Sequence, residues 1–256
     1  MMQPMTDIWK NFFLEQDDMP EGLGYPLFGR IHLLCLLVTC LGIIVFILLS
    51  LRASEKGQRR IIVTVPFVLI ALEAAKDLLL TAQGKFWIGY LPLFPCSIGI
   101  YVFLFYFAAK KEEAKHFWGE VALSFVLPCG IFGLLFADWT VSYPVFSFYS
   151  LHSYIWHTLL IFYPLFLRLS GRISLRFRDL WMPVAFTGVT AALIYAFDRM
   201  TGMNYFWLTE AEPGTPLAFF EDRLGNPGYL LPYAGMAVSV FAGIHIIDFL
   251  LKKIRV

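Results

Sequence analysis

The chain alternates apolar stretches of membrane-spanning length with short polar loops, and this pattern constrains its fold most strongly. Crossing the hydrocarbon core of a bilayer takes a helix of about 20 mostly apolar residues. Seven stretches qualify, at roughly residues 31–51, 60–82, 90–109, 117–137, 150–169, 180–200 and 228–251. Backbone polar groups in lipid need partners within the protein, so these stretches must be helical. The sequence therefore predicts an all-α, polytopic membrane bundle of about seven helices.

Composition excludes a soluble domain and argues against a nucleic-acid partner. The chain is 59% hydrophobic and only 15% charged, whereas soluble domains carry about 25% charged residues. Its net charge is +1, which gives no global attraction to nucleic acid. We expect membrane lipids as partners. Four cysteines fall in or beside apolar stretches without the spacing of a disulfide framework or zinc finger, and we predict neither a metal nor a cofactor. They are Cys35, Cys40, Cys96 and Cys129.

The basic residues predict the orientation of the bundle. Lys and Arg concentrate in the 52–60, 110–116 and 168–179 loops and in the last residues, Lys252, Lys253 and Arg255. Because cytoplasmic loops carry the excess of basic residues, the N-terminus is expected outside and the C-terminus in the cytoplasm. The predicted location is the cell membrane, with multiple passes.

The domain organisation follows from these spans. Residues 1–30 are expected to form an extracytoplasmic N-terminal segment that is not a signal peptide, and residues 31–256 a single seven-helix domain. The longest connection, 201–227, lies on the predicted outer side. Within it, Thr215 suits a helix N-cap, Pro216 the first helical position and Gly225 the C-cap. We predict a short helix at the membrane surface here.

Three ionisable residues lie inside the second predicted span. Glu73, Lys76 and Asp77 are spaced i, i+3 and i+4, so they share one helix face. Charged groups at such depth face the bundle interior and need partners. Two interpretations stay open. The residues form an internal salt bridge, or they line a polar cavity in which Glu73 orients a base and Lys76 and Asp77 bind substrate.

A cysteine and a histidine lie at similar predicted depth. Cys96 follows Pro95 near the outer end of the third span, and is either a nucleophile or an inert small residue. His157 lies about two turns into the fifth span, where an imidazole is costly unless paired. At 1.5 Å per residue, Glu73, Cys96 and His157 lie about 8–14 Å from the outer boundary. A thiolate nucleophile with an imidazole base needs such convergence.

The other histidines receive different predictions. His152 and His32 lie nearer the outer mouth and are candidate binding residues. His245, near Asp248 in the last span, is expected to be structural, and His116 is expected to be a loop residue.

Five elements in order carry a resemblance over roughly residues 60–240. The chain resembles the YwaF-like family of bacterial integral membrane proteins, which is similar to animal membrane acyltransferases that remodel ether phospholipids. The resemblance implies a Cys nucleophile and a His partner, here Cys96 and His157. Family members often carry a His beside the Cys, whereas Pro95 and Ser97 stand there in this chain. The elements are Glu73-x-x-Lys76, Leu91–Cys96, His157–Leu167, Gly202–Phe206 and Leu224–Tyr229.

The leading hypothesis is an intramembrane acyl-transfer enzyme whose site lies near the extracytoplasmic face. Cys96 would attack a phospholipid ester, His157 would act as base and then acid, and Asn204 or Tyr205 would stabilise the oxyanion. The acceptor would be a lysophospholipid, or water in a lipid-ester hydrolase.

Other functions stay open. One is a non-enzymatic protein that binds or transports a lipid or small ligand. Another is a zinc hydrolase of the ceramidase type, which would have to assemble its ligands from His32, His157 and Asp77. A seven-span receptor is disfavoured by the short loops and by Asn226–Tyr229 at the outer end of the last span.

Overall fold

The computed structural model describes residues 9–213 and 215–254, which fold entirely into helices and connecting turns without a β-strand. Arg255, one of the basic residues used to predict orientation, lies outside this part. A π-helical segment, Ala122–Val126, joins α4 to α5. The α-helices are α1 (Arg30–Arg52), α2 (Glu55–Ala82), α3 (Ile98–Ala108), α4 (Glu112–Val121), α5 (Leu127–Leu135), α6 (Phe148–Leu169), α7 (Trp181–Thr201), α8 (Pro216–Leu224) and α9 (Leu230–Ile254).

Every predicted membrane stretch contains a helix in the structure. In the described part of the chain, four helical segments are long and apolar enough to cross a membrane: Arg30–Arg52, Glu112–Val141, Phe177–Thr201 and Leu230–Lys253. Several apolar helices fit a multi-pass membrane protein. The total of seven spans and the orientation of the termini stay predictions.

Helix α3 begins later than the sequence predicts. The apolar stretch starts near residue 90, but the helix starts at Ile98 and contains 11 residues. Pro92 and Pro95 account for the difference, because the residue before a proline is driven out of the helical region. Cys96 therefore lies in the turn before α3, and not inside a helix.

The chain divides into two compact units. The first contains the described part of Met1–Tyr90 together with Cys129–Leu169. In this unit α6 packs against both α1 and α2, and the Tyr163 hydroxyl donates a hydrogen bond of 3.0 Å to the Ile62 carbonyl. Helix α1 buries only four of its side chains. Most of its Leu, Ile, Val and Phe side chains are exposed, which suits contact with lipid.

The second unit contains Leu91–Pro128 and the described part of Ser170–Val256. Its centre is the π-helical segment, whose five residues are all buried and which contacts α3, α7 and α9. Phe125 within it packs edge-on against Phe186 at 5.6 Å between ring centroids. π-Helical turns are rare and occur often at functional sites.

A short helix lies in the 201–227 connection, and its position at the membrane surface stays a prediction. Helix α8 begins at Pro216, after the N-cap Thr215, and ends at Leu224, where the C-cap Gly225 has a φ of 64°. A positive φ is easily adopted by glycine, which has no Cβ to clash with the backbone. Leu217 of α8 packs with Ala211 and Tyr229 in a small buried cluster.

Candidate functional site

His157 is buried in the first unit with its ring held in one orientation. Nδ1 lies 2.7 Å from the Ser153 carbonyl oxygen. A carbonyl only accepts, so Nδ1 must carry the proton, and the neutral ring keeps its lone pair on Nε2. The ring stacks on Trp139, with 5.2 Å between centroids and 10° between planes. This arrangement presents Nε2 as a base.

Gly133 on α5 makes room for this imidazole. A Cβ placed on residue 133 would overlap Cδ2 and Nε2 of His157. Glycine is therefore required here by the close approach of the ring to the α5 backbone. The Trp139 indole Nε1 is buried and forms no hydrogen bond within the described residues. A buried donor without a partner is unusual in proteins and calls for an explanation.

Glu73, Lys76 and Asp77 form ion pairs in the first unit, which is the first of the two interpretations of their sequence spacing; the cavity interpretation stays a prediction. Lys76 Nζ lies 2.7 Å from Glu73 Oε1 and 3.4 Å from Asp77 Oδ1. It also donates 3.1 Å to the Tyr90 carbonyl. Asp77 Oδ1 accepts no well-aligned hydrogen bond in the described part of the chain, so its contact with Lys76 is mainly electrostatic. These residues join α2 to the Ile88–Tyr90 turn.

The two histidines predicted to bind substrate differ in their surroundings. Both ring nitrogens of His32 are engaged, since Nδ1 accepts from the Phe28 backbone N–H at 2.9 Å and Nε2 lies 3.0 Å from the Leu134 carbonyl. A binding role for His32 would require breaking these bonds. His152 stacks on Trp156 at 5.5 Å, and its buried Nε2 forms no hydrogen bond within residues 9–213 and 215–254.

Cys96, Asn204 and Tyr205 all belong to the second unit. Cys96 is partly buried, one residue before the Ser97 N-cap of α3. The positive end of a helix dipole stabilises a thiolate placed near it. The pairing of Cys96 with His157 stays a prediction.

Asn204 and Tyr205 help to build the loop that follows α7. Asn204 donates 2.7 Å to the Glu210 carbonyl, and its Oδ1 accepts from the Thr209 hydroxyl at 2.9 Å. The backbone N–H of Tyr205 donates 3.0 Å to Asp198 Oδ2, and its ring packs edge-on against Phe94 at 5.1 Å. If Asn204 bound an oxyanion as predicted, it would have to give up hydrogen bonds that it makes within this loop.

Outside the spans, a buried carboxylate organises the N-terminal part of the first unit. The Tyr90 hydroxyl donates 2.7 Å to Glu15 Oε1. Burial, helped by the hydrogen bond to Glu15, raises the pKa of Tyr90 above its ordinary value. Burial and the Glu15 charge likewise raise the pKa of Tyr143. Both phenols therefore stay protonated at neutral pH.

Four residues of the second unit form a polar cluster that the sequence analysis missed. They are His116 and Glu120 on α4, Asp179 before α7 and His245 on α9. His245 Nε2 lies 3.1 Å from Glu120 Oε2, so His245 is structural as expected, but its partner is Glu120. The spacing of His116 and Glu120, four residues apart on one helix face, was the available signal.

Comparison with known proteins gives one result that identifies a family. The model of the TMEM164 family, a membrane protein family, matches residues 27–249. No curated protein and no solved structure matches the chain.

Proposed function

Since the chain belongs to the TMEM164 family of membrane proteins, we propose that it is an intramembrane enzyme that transfers phospholipid acyl chains. Cys96 is the proposed nucleophile and His157 the proposed base. The single observation that carries the proposal is the orientation of His157. Its Nδ1 proton is committed to the Ser153 carbonyl, which leaves Nε2 to accept a proton.

The surroundings of His157 support acid–base work. The ring lies in a largely apolar setting, stacked on Trp139, where an imidazole stays neutral unless it takes up a proton during reaction. The indole N–H of Trp139, which has no hydrogen-bond partner among the described residues, supplies a donor in the same unit. We assign it to the carbonyl oxygen of the ester, which becomes negative as the nucleophile attacks.

The proposed reaction has two steps. In the first, His157 Nε2 takes the thiol proton, Cys96 Sγ bonds to the acyl carbon, and the ester C–O bond breaks. The lysolipid alkoxide leaves with the proton from His157, and an acyl-thioester stays on Cys96. In the second, the hydroxyl of a lysophospholipid acceptor gives its proton to His157 and attacks the thioester, which restores the thiol.

Intact-mass measurement tests this proposal directly. Purified protein incubated with mixed phospholipids should gain the mass of one fatty-acyl group, and peptide mapping should place it on Cys96. Neutral hydroxylamine, which cleaves thioesters, should release the adduct from wild type, and the adduct should be absent in Cys96→Ser and in His157→Gln. Cys40→Ser removes an exposed thiol on α1 and should keep the adduct. Full transfer activity in Cys96→Ala would overturn the mechanism.

A second candidate function is lipid or small-ligand binding without catalysis. It is favoured by His152 Nε2 and Asp77 Oδ1, two buried atoms of the first unit that form no hydrogen bond in the described part of the chain. A ligand headgroup with both donor and acceptor atoms would satisfy them. Lipid that copurifies with wild type but not with His152→Phe, together with no acyl adduct, would favour this function.

A further inference from the structure

The second unit holds a set of side chains with the chemistry of a metal site. His116, Glu120 and Asp179 each offer one ligand atom, and these atoms lie within 4.8 Å of one another. Glu120 and Asp179 are buried, and His116 is partly buried. Among residues 9–213 and 215–254, this is the one group of three or more such ligands.

Local structure explains why the three ligands converge. His116 and Glu120 are one turn apart on α4, so their side chains project from the same face. Asp179 ends the short 3-10 helix Phe177–Asp179, which precedes α7, and α7 packs against α4. The backbone N–H of Arg176 donates 3.1 Å to Glu120 Oε1, which fixes the approach of this turn to α4.

The distances fit a small ion with modest adjustment. His116 Nε2 lies 2.8 Å from Asp179 Oδ2 and 3.7 Å from Glu120 Oε1. Ligands about 2.0–2.2 Å from a tetrahedral ion lie roughly 3.4 Å from each other. The two separations from His116 lie on either side of that value, and all three ligand atoms lie within 4.8 Å of one another, so the side chains must move to bring the three atoms onto one ion.

His245 holds Glu120 from the opposite side. Its Nδ1 lies 2.9 Å from the Phe241 carbonyl and its Nε2 lies 3.1 Å from Glu120 Oε2. His245 is therefore held between the Phe241 carbonyl and Glu120. Oε2 of Glu120 faces His245, while Oε1 accepts the Arg176 N–H and faces His116. Such outer partners orient the ligands of metal sites.

Charge also favours a cation at this point. Glu120 is fully buried and Asp179 nearly so, and buried carboxylates are costly unless they are paired or bind a metal. His245 is the hydrogen-bond partner of Glu120 and His116 that of Asp179, and each pair is an ion pair only when its imidazole is protonated. Arg178 approaches Asp179 at 3.7 Å, but its side chain is 75% exposed, so solvent weakens its effect on Asp179.

From this geometry we propose that His116, Glu120 and Asp179 bind one divalent transition-metal ion of the zinc type. One imidazole with two carboxylates suits Zn²⁺, Fe²⁺ or Mn²⁺, and the nitrogen ligand disfavours Mg²⁺. Three protein ligands leave an open position for water or another oxygen ligand. The site is independent of the proposed roles of Cys96 and His157.

Zinc binding by the purified full-length protein tests the proposal. Chelator-treated protein is titrated with Zn²⁺ alone, and bound metal is counted after desalting. Wild type should retain about one ion per chain, as expected for three protein ligands that share one ion. Co²⁺ in place of zinc should give visible d–d absorption, which reports nitrogen and oxygen ligands directly.

Matched variants distinguish this site from adventitious binding. His116→Gln and Asp179→Asn keep hydrogen-bonding capacity and should abolish stoichiometric binding. Glu113→Gln removes an exposed carboxylate from the same helix and should leave binding unchanged. His245→Gln should weaken binding about 10–100-fold, as for other outer-shell partners.

Three outcomes would overturn the proposal. They are wild type that retains no zinc, variants at residues 116 and 179 that retain a full equivalent, and equal loss of zinc in the residue 113 control. Melting curves recorded without metal show whether each variant is folded, so loss of binding cannot be mistaken for loss of structure.

Discussion

The α5 backbone at Gly133 lies directly against the imidazole edge of His157. A side chain at position 133 would overlap the ring atoms Cδ2 and Nε2, and glycine avoids that overlap. Any larger residue at 133 must move the ring that we propose as the base. A substitution at Gly133 should therefore affect both the packing of the first unit and the position of the proposed base.

We expect Gly133→Ala to damage both stability and function. Overpacking of this kind costs about 1–3 kcal/mol, and displacement of Nε2 should suppress the acyl adduct. Gly42→Ala on α1 is the control, because a Cβ there meets no atom within 4 Å. Thermal melting and intact mass measure the two effects. A Gly133→Ala protein with wild-type melting and full adduct would show that the ring does not need this space.

Trp139→Phe separates the stacking of the indole from its N–H. Phenylalanine can still pack on His157, but it cannot donate to an oxyanion. If the indole has the role we propose, the rate of adduct formation should fall about 100-fold or more, as when one oxyanion donor is removed, while lipid binding changes little. Single-turnover kinetics with a labelled phospholipid measure this. An unchanged rate would remove Trp139 from the mechanism.

The Glu120–His245 pair should show strong coupling in a double-mutant cycle. Removing one partner of a buried ion pair leaves the other uncompensated and costs about 3–5 kcal/mol. Glu120→Leu and His245→Phe are therefore each expected to destabilise the protein. The loss of unfolding free energy in the double variant should be smaller than the sum of the losses in the two single variants. Unfolding in mixed micelles, with chelator present, gives the three free energies, and simple additivity would contradict the pairing.

Tyr90→Phe should destabilise the N-terminal part of the first unit. It removes a hydrogen bond to the buried Glu15 carboxylate, and bonds to charged groups contribute about 1.5–3 kcal/mol. Because the folded pKa of Tyr90 is raised, its neutral form stabilises the fold fully below the ordinary value of about 10. That contribution is lost as pH rises through the elevated pKa.

The stability difference between wild type and Tyr90→Phe should therefore be largest at neutral pH and should shrink in strong alkali. Melting temperatures across this range measure it. Equal melting of the two proteins at neutral pH would contradict a stabilising role for the bond to Glu15.

Much of the helix arrangement could be predicted from the sequence, because the hydrocarbon core imposes a length and a composition on each span. The same rule could not locate the start of α3, where two prolines prevent helical backbone in an otherwise apolar stretch. Helix α8 was predictable since Thr215, Pro216 and Gly225 each favour one position at a helix end.

Site residues were harder to predict because they depend on how helices rotate. The contact between Glu73 and Lys76 is local to one helix and follows from their spacing. The bond between His245 and Glu120 joins residues 125 positions apart, and no periodicity in the sequence signals it. Gly133 and Trp139 gained significance only when their contacts with His157 were known.

The short α3 has a consequence for access to Cys96. Eleven helical residues cover about 16 Å at 1.5 Å each, roughly half of a 30 Å hydrocarbon core. If this stretch spans the membrane, irregular backbone between Leu91 and Ser97 must cover part of the remaining depth. Such backbone is stable only where protein encloses it or water reaches it, and never against lipid tails. The thiol-bearing turn is then shielded from the lipid tails, and the ester of a phospholipid substrate must reach Cys96 within that shielded space.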